Sequence, residues 1–192
     1  MISILIGALV LAAIQLRIMH PLISRKARLV WCLVVLAIGV LPYPWGWTSW
    51  VISITSDFSI SSGLLALVAI QHRVRGQTLM PIAELRSACW LIAVLALAYY
   101  PMSLGATYLD PYGLGYGSFE LSTALLLVGF YAWISRAYAS CIVLITAQIA
   151  YWFGALGSDN LWDYLVDPFL CFWVFGWLIR DALKRRQAEI PA

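Results

Sequence analysis

Ala69-Ile70-Gln71-His72-Arg73 closes one apolar run, a short basic turn follows, and a second apolar run carries Cys89-Trp90 before it stops at Tyr99-Tyr100-Pro101. The same order occurs upstream: Ala13-Ile14-Gln15-Leu16-Arg17 ends a run, Trp31-Cys32 sits early in the next, and Leu41-Pro42-Tyr43-Pro44 closes it. A looser copy goes from Trp133-Ile134-Ser135-Arg136 through Cys141 to Tyr151-Trp152. The pattern reads as one helical hairpin used three times, followed by a last helix.

Composition sets the medium. Of 192 residues, 63% are hydrophobic and 11% charged, and the mean hydropathy is +0.88. So much apolar surface cannot be hidden inside one water-soluble globule. The expected fold class is therefore all-α, a single transmembrane domain over 1–192 with the lipid bilayer as its first partner. A net charge of +3 is too small to imply a nucleic-acid partner. The four cysteines lie inside apolar runs without CxxC spacing, which argues against a disulfide framework or a zinc knuckle and for free thiols.

A spanning helix needs about 20 apolar residues to cross about 30 Å of hydrocarbon. Seven segments are expected, near 2–19, 28–43, 51–72, 86–102, 119–136, 138–153 and 162–180, with a short basic tail over 181–192. The runs are continuous rather than alternating, which favours helices over barrel strands. The first apolar run has no basic residues before it and meets its first positive charge at Arg17, an order that predicts an uncleaved segment with its N-terminus outside.

With that start and seven crossings, the inner connections and tail collect Arg17, Arg25, Lys26, Arg28, Arg73, Arg75, Arg86, Arg136, Arg180, Lys184, Arg185 and Arg186, which are all twelve basic residues. Asp57, Asp110, Glu120, Asp159, Asp163 and Asp167, six of the nine acids, fall outside. Such sorting is what the positive-inside rule requires. The outer connections are also longer and aromatic, with Trp45, Trp47 and Trp50 in one and Tyr108, Tyr112 and Tyr116 in another. Rings at this level form an interfacial belt; a sharper reading is an acidic, aromatic vestibule that stacks a sugar or attracts a cation.

Carboxylates recur near the outer ends of the third, fifth and seventh segments. Glu120 after Ser118, and Asp163, are expected to cap helix N-termini, where unpaired N–H groups favour acids. Asp57 and Asp167 are expected about two turns inside. An ionisable group at that depth costs about 2.5–3.5 kcal/mol and normally faces a partner or a water-filled cavity, so these two, with Asp163, Glu120 and Asp110 around them, are the candidate binding or coupling residues.

His20 and His72 end outward-to-inward helices at matching depth and are the only candidates for ligating a b-type haem, with Arg17, Arg73 or Arg75 near its propionates; otherwise no cofactor is expected. Gly113-Leu114-Gly115-Tyr116-Gly117 has the GYG of a potassium filter without the preceding threonine, and reads as a glycine turn. HExxH, GxSxG and phosphate-cradling glycine loops do not occur, and neither lysine, Lys26 or Lys184, lies in a spanning segment where a retinal could attach.

Three functions are compatible with this pattern. The first is a non-enzymatic accessory or binding subunit of a larger assembly in a bacterial inner membrane, with a membrane-protein partner or further copies of itself on its outer aromatic loops. The second is a small secondary transporter or cation pathway that uses Asp57 and Asp167. The third is a b-haem electron carrier.

Overall fold

The computed structural model describes residues 1–77, 79–106 and 110–188. The chain is all-helical, at 78% helix with no strand among the described residues. Its α-helices are α1 (Ile2–Met19), α2 (Arg25–Gly39), α3 (Trp47–Thr55), α4 (Ile60–Arg75), α5 (Ile82–Pro101), α6 (Phe119–Ile134), α7 (Tyr138–Trp152), α8 (Leu161–Leu165) and α9 (Pro168–Ala188).

Local chemistry fixes most boundaries. Ser24, Ser59 and Ser118 each accept a hydrogen bond from the backbone N–H three residues on, which starts α2, α4 and α6. Gly76, in the left-handed region at φ 73°, stops α4. At the tight turn after α6, Ala137 N–H bonds to Ala132 O at 2.8 Å and Arg136 N–H to Trp133 O at 3.1 Å. This pair of bonds needs a left-handed residue, and Arg136 takes that role at φ 59°.

Two segments differ from the sequence expectation. The one at 51–72 is divided into α3 and α4, with Ser56-Asp57-Phe58-Ser59 outside either helix. The one at 162–180 is divided at Val166-Asp167, because Pro168 has no N–H to offer and suits the first position of a new helix. The remaining five segments appear within about four residues of the expected limits, an ordinary margin for helix ends.

The main core gathers residues of α5, α7, α8 and α9 around Ile92, Leu144, Tyr164, Leu165 and Val174, and joins Ile6 and Val10 of α1 to Leu65 of α4. A smaller cluster of Ala12, Leu16, Cys32 and Val35 holds α1 to α2. Close approach relies on small residues. A Cβ added at Gly39 would sit 2.7 Å from Trp47 Nε1, and one at Gly7 would sit 2.6 Å from Thr48 Cγ2, so α3 lies directly on α1 and α2. The buried stripe of α6 is only Leu125, Gly129 and Ala132.

The rest of α6 faces outward and is apolar: Leu127, Phe130, Tyr131, Trp133 and Ile134 are exposed. Two helical stretches, Ile2–Met19 and Ile82–Gly105, are long and apolar enough to cross a membrane. Phe119–Ile134 and Tyr138–Trp152 are apolar but shorter; at about 1.5 Å per residue a 15-residue helix covers about 23 Å.

The bundle has two chemically distinct ends. At one, the start of α1 meets Asp57 and the loop before α8. At the other, the basic turns gather with the last turns of α9.

Candidate functional site

At the acidic end, Asp167 is the most deeply placed carboxylate among the described residues, at 5% exposure. Its Oδ1 accepts from Leu170 N–H at 2.8 Å, which caps α9. Its Oδ2 accepts from Ser59 N–H at 3.0 Å, Ser59 Oγ at 2.7 Å and Ser62 Oγ at 2.6 Å. Ser59 Oγ in turn accepts from Ser62 N–H at 3.1 Å and caps α4. Two helix N-termini, each carrying about half a positive charge, therefore share one carboxylate. Four donors and two dipoles stabilise a charge that would otherwise be costly to bury.

Asp57 lies in the break between α3 and α4 rather than two turns inside a helix. Its Oδ2 accepts from Ser3 Oγ at 3.2 Å and Gly157 N–H at 3.2 Å, which joins the start of α1 to the loop before α8. Asp163 accepts from Ser158 Oγ, but the cap of α8 is Asn160, whose Oδ1 accepts from Trp162 N–H at 3.0 Å. Asp110 closes the glycine turn through Gly113 N–H at 3.1 Å. Glu120 is exposed in the first turn of α6, where Ser118 does the capping.

The aromatic residues divide into two kinds. Trp45 is 76% exposed, and Trp50, half exposed, donates its indole N–H to Pro44 O at 3.0 Å while packing 4.8 Å from Tyr43. Trp47 instead points inward against Gly39, its indole nitrogen buried without a partner among the described residues. Tyr116 is exposed and meets half-buried Tyr112 edge-on at 5.3 Å; the hydrogen bond between the two phenols, then burial, raises Tyr112 above its ordinary pKa. Beneath them Tyr99 stacks on Trp162 at 4.8 Å, and the Trp162 indole donates to Pro111 O at 2.7 Å. Tyr108 lies outside the described residues.

Asn160, fully buried, is the pivot of this end: its amide donates to Tyr112 O at 2.9 Å, and the backbone of Gly115 runs directly against its side chain. Tyr164 Oη adds bonds to Leu156 and Ser158. Sequence reasoning did not single out Ser3, Ser59, Ser62, Asn160 or Tyr164. Ser59-Ile60-Ser61-Ser62 ahead of an apolar run did carry a helix-start signal; the others act through contacts 48 or more residues away, or through loop bonds no periodicity reveals.

At the basic end the cations close helices and fasten them together. Arg28 donates to Arg73 O at 3.1 Å, and Arg25 to Val74 O at 3.3 Å and to Arg75 O, which satisfies the last carbonyls of α4. Arg86 forms a two-point pair with Asp181, at 2.8 and 3.1 Å, joining α5 to α9. That bond holds the Asp181 carboxyl below its ordinary pKa. Glu84 reaches across to cap α7 through Ala139 N–H at 2.8 Å.

Between these fasteners lies a cleft of about 570 Å³ bordered by α1, α4, α5 and α9, with Arg17, His20, His72, Arg73, Arg180 and Lys184 among its lining. It continues into a narrower apolar groove of about 240 Å³ that reaches Ser62 and Leu170, beside the Asp167 cluster. Both histidines are exposed on this cleft. Among the described residues no three His, Cys, Asp or Glu side chains gather as a metal site. Cys32, Cys89, Cys141 and Cys171 are buried free thiols.

No protein-family model matches the chain, and neither a curated protein nor a solved structure matches it.

Proposed function

We propose that the chain is a seven-span membrane protein, N-terminus outside and C-terminus cytoplasmic, that works by binding rather than by catalysis, as an accessory subunit of a larger assembly in a bacterial inner membrane. The observation that carries the membrane part is α6. An apolar helix whose Leu127, Phe130, Trp133 and Ile134 face outward requires lipid or protein around it, not water. The shorter helices span by drawing Tyr and Trp ends into the headgroups or by local thinning of the bilayer.

The binding part rests on how the acidic end is built. Asp57, Asp163 and Asp167 serve as acceptors that tie loops and helix starts together, and this stiff base presents Tyr43, Trp45, Trp50 and Tyr116 outward. Rigid aromatic anchors over a fixed scaffold are what protein recognition uses. The test is purification in mild detergent from the native membrane. A stoichiometric partner that is lost in the Trp45→Ala/Trp50→Ala variant supports the reading; a protein that purifies alone at every detergent concentration overturns it.

A transporter is the second reading, favoured by the paired helix breaks at Asp57 and Asp167 and by the groove that ends beside Asp167. It requires Asp57→Asn or Asp167→Asn to abolish ion-coupled flux in vesicles while the protein stays inserted. The haem reading requires a Soret band from the purified protein.

A further inference from the structure

Arg17 and Arg73 face the same cleft from the last turns of α1 and α4, with Arg180 and Lys184 of α9 at its mouth. Among the described residues the only ion pairs are those of Asp181 with Arg86 and Arg185. The single carboxylate on the cleft is thus already engaged; Lys184 shares its charge at longer range, and Arg17, Arg73 and Arg180 have no acidic partner among the described residues. Arg73 is half-buried, with Arg17 lining the same cleft. Like charges held together in a partly dry site are a cost that an anion would relieve.

The groove behind them has the opposite character. Val10, Ala13, Leu65, Ala66 and Phe169 line it, and it joins the cationic mouth through Arg17, Arg73 and Trp173, which border both. Its volume is below the roughly 300 Å³ at which small-molecule pockets begin, whereas the mouth falls inside that range. This shape suits one hydrocarbon chain behind one compact head.

We propose that the cleft holds one molecule of an anionic lipid with a phosphomonoester head, the phosphate between Arg17 and Arg73 and one chain in the groove toward Ser62. Guanidinium groups bind phosphate by paired N–H bonds, and the lysine and His rings at the mouth add charge or donors. The site lies at the end where the membrane reading places the cytoplasmic leaflet, which carries anionic lipid. It differs from surface attraction by a polybasic tail in being stoichiometric and in having a chain-sized interior. The inference rests on the membrane reading, and recovery of the protein in the membrane fraction tests that reading separately.

The experiment is native mass spectrometry of the detergent-purified full chain with dioleoyl phosphatidic acid, dioleoyl phosphatidylcholine or inorganic phosphate. One saturable phosphatidic acid per chain is expected, bound about tenfold or more tightly than phosphatidylcholine. Arg17→Gln/Arg73→Gln weakens it by a similar factor, and Arg186→Gln, away from the cleft, leaves it unchanged. Should the double variant not be recovered, Arg180→Gln/Lys184→Gln at the mouth and Ala69→Phe in the groove carry the same test, each weakening binding several-fold. Equal binding of the two lipids, retention of binding in these variants, full displacement by millimolar inorganic phosphate, or a haem in the purified cleft overturns the proposal.

Discussion

Asp167→Ala removes the acceptor shared by α4 and α9. Four hydrogen bonds disappear, and the N–H groups of Ser59 and Leu170 are left buried without partners. Each orphaned N–H costs about 1–3 kcal/mol, and bonds to a charged acceptor contribute about 1.5–3 kcal/mol apiece before compensation. Against this, the variant no longer buries a charge, a relief of about 2.5–3.5 kcal/mol on insertion scales, and the two hydroxyls are free to turn elsewhere. The balance is a loss of about 3 kcal/mol, near the lower end for breaking a buried charged contact. Asp167→Asn loses less, because its amide keeps an acceptor for one side but sets donor against donor on the other. Unfolding by SDS in mixed micelles, followed by circular dichroism, measures both. A double cycle with Ser59→Ala should show coupling of about 1 kcal/mol or more. If Asp167→Ala unfolds within about 0.5 kcal/mol of the parent, the usual range for an uninvolved surface position, the two-helix clamp is not a source of stability.

Gly39→Val forces a side chain into the 2.7 Å gap beside Trp47 Nε1 and should cost about 1–3 kcal/mol in the same assay, with α3 released to proteolysis first. Ser56→Gly should stabilise by about 1 kcal/mol, since Ser56 holds φ 66° and ψ −176°, a region open essentially to glycine alone. Trp47→Ala should lower stability, while Trp45→Ala leaves it unchanged. The Asp181 carboxyl has a folded pKa below its unfolded one. Its contribution is therefore present above the ordinary carboxylate range and is lost as pH falls through the folded value. Proteolysis of the last turns of α9 should thus be suppressed at neutral pH and should rise only below about pH 4, a rise already present at neutral pH in Arg86→Gln.

Much of the helical layout was legible because long apolar runs and Ser, Gly and Pro signals are local. The turn at Arg136 and the stop near Phe153 are single-turn events, and the segments 119–136 and 138–153 became α6 and α7 almost unchanged. The breaks at Asp57 and Asp167 were not legible from hydropathy, which averages over about 19 residues and runs across a four-residue interruption. What Asp167 does depends on Ser59 and Ser62, more than 100 residues earlier in the chain. The tryptophans of the 45–50 stretch look equivalent in sequence, yet the start of α3 at Trp47 turns that ring inward and leaves Trp45 out. The cleft was legible only as basic residues at matching depth; that two histidines and four cations border one cavity is a consequence of how α1, α4 and α9 meet.

The proposed membrane topology puts the bundle's two ends on opposite sides of a bilayer. The four native thiols are buried, so a cysteine placed at exposed Asp159 and, separately, one at exposed Gln187 can be labelled in intact cells with a membrane-impermeant maleimide. On that topology Asp159→Cys reacts at once and Gln187→Cys only after the membrane is opened. Labelling of both from the same side, or recovery of the protein in the soluble fraction, contradicts it.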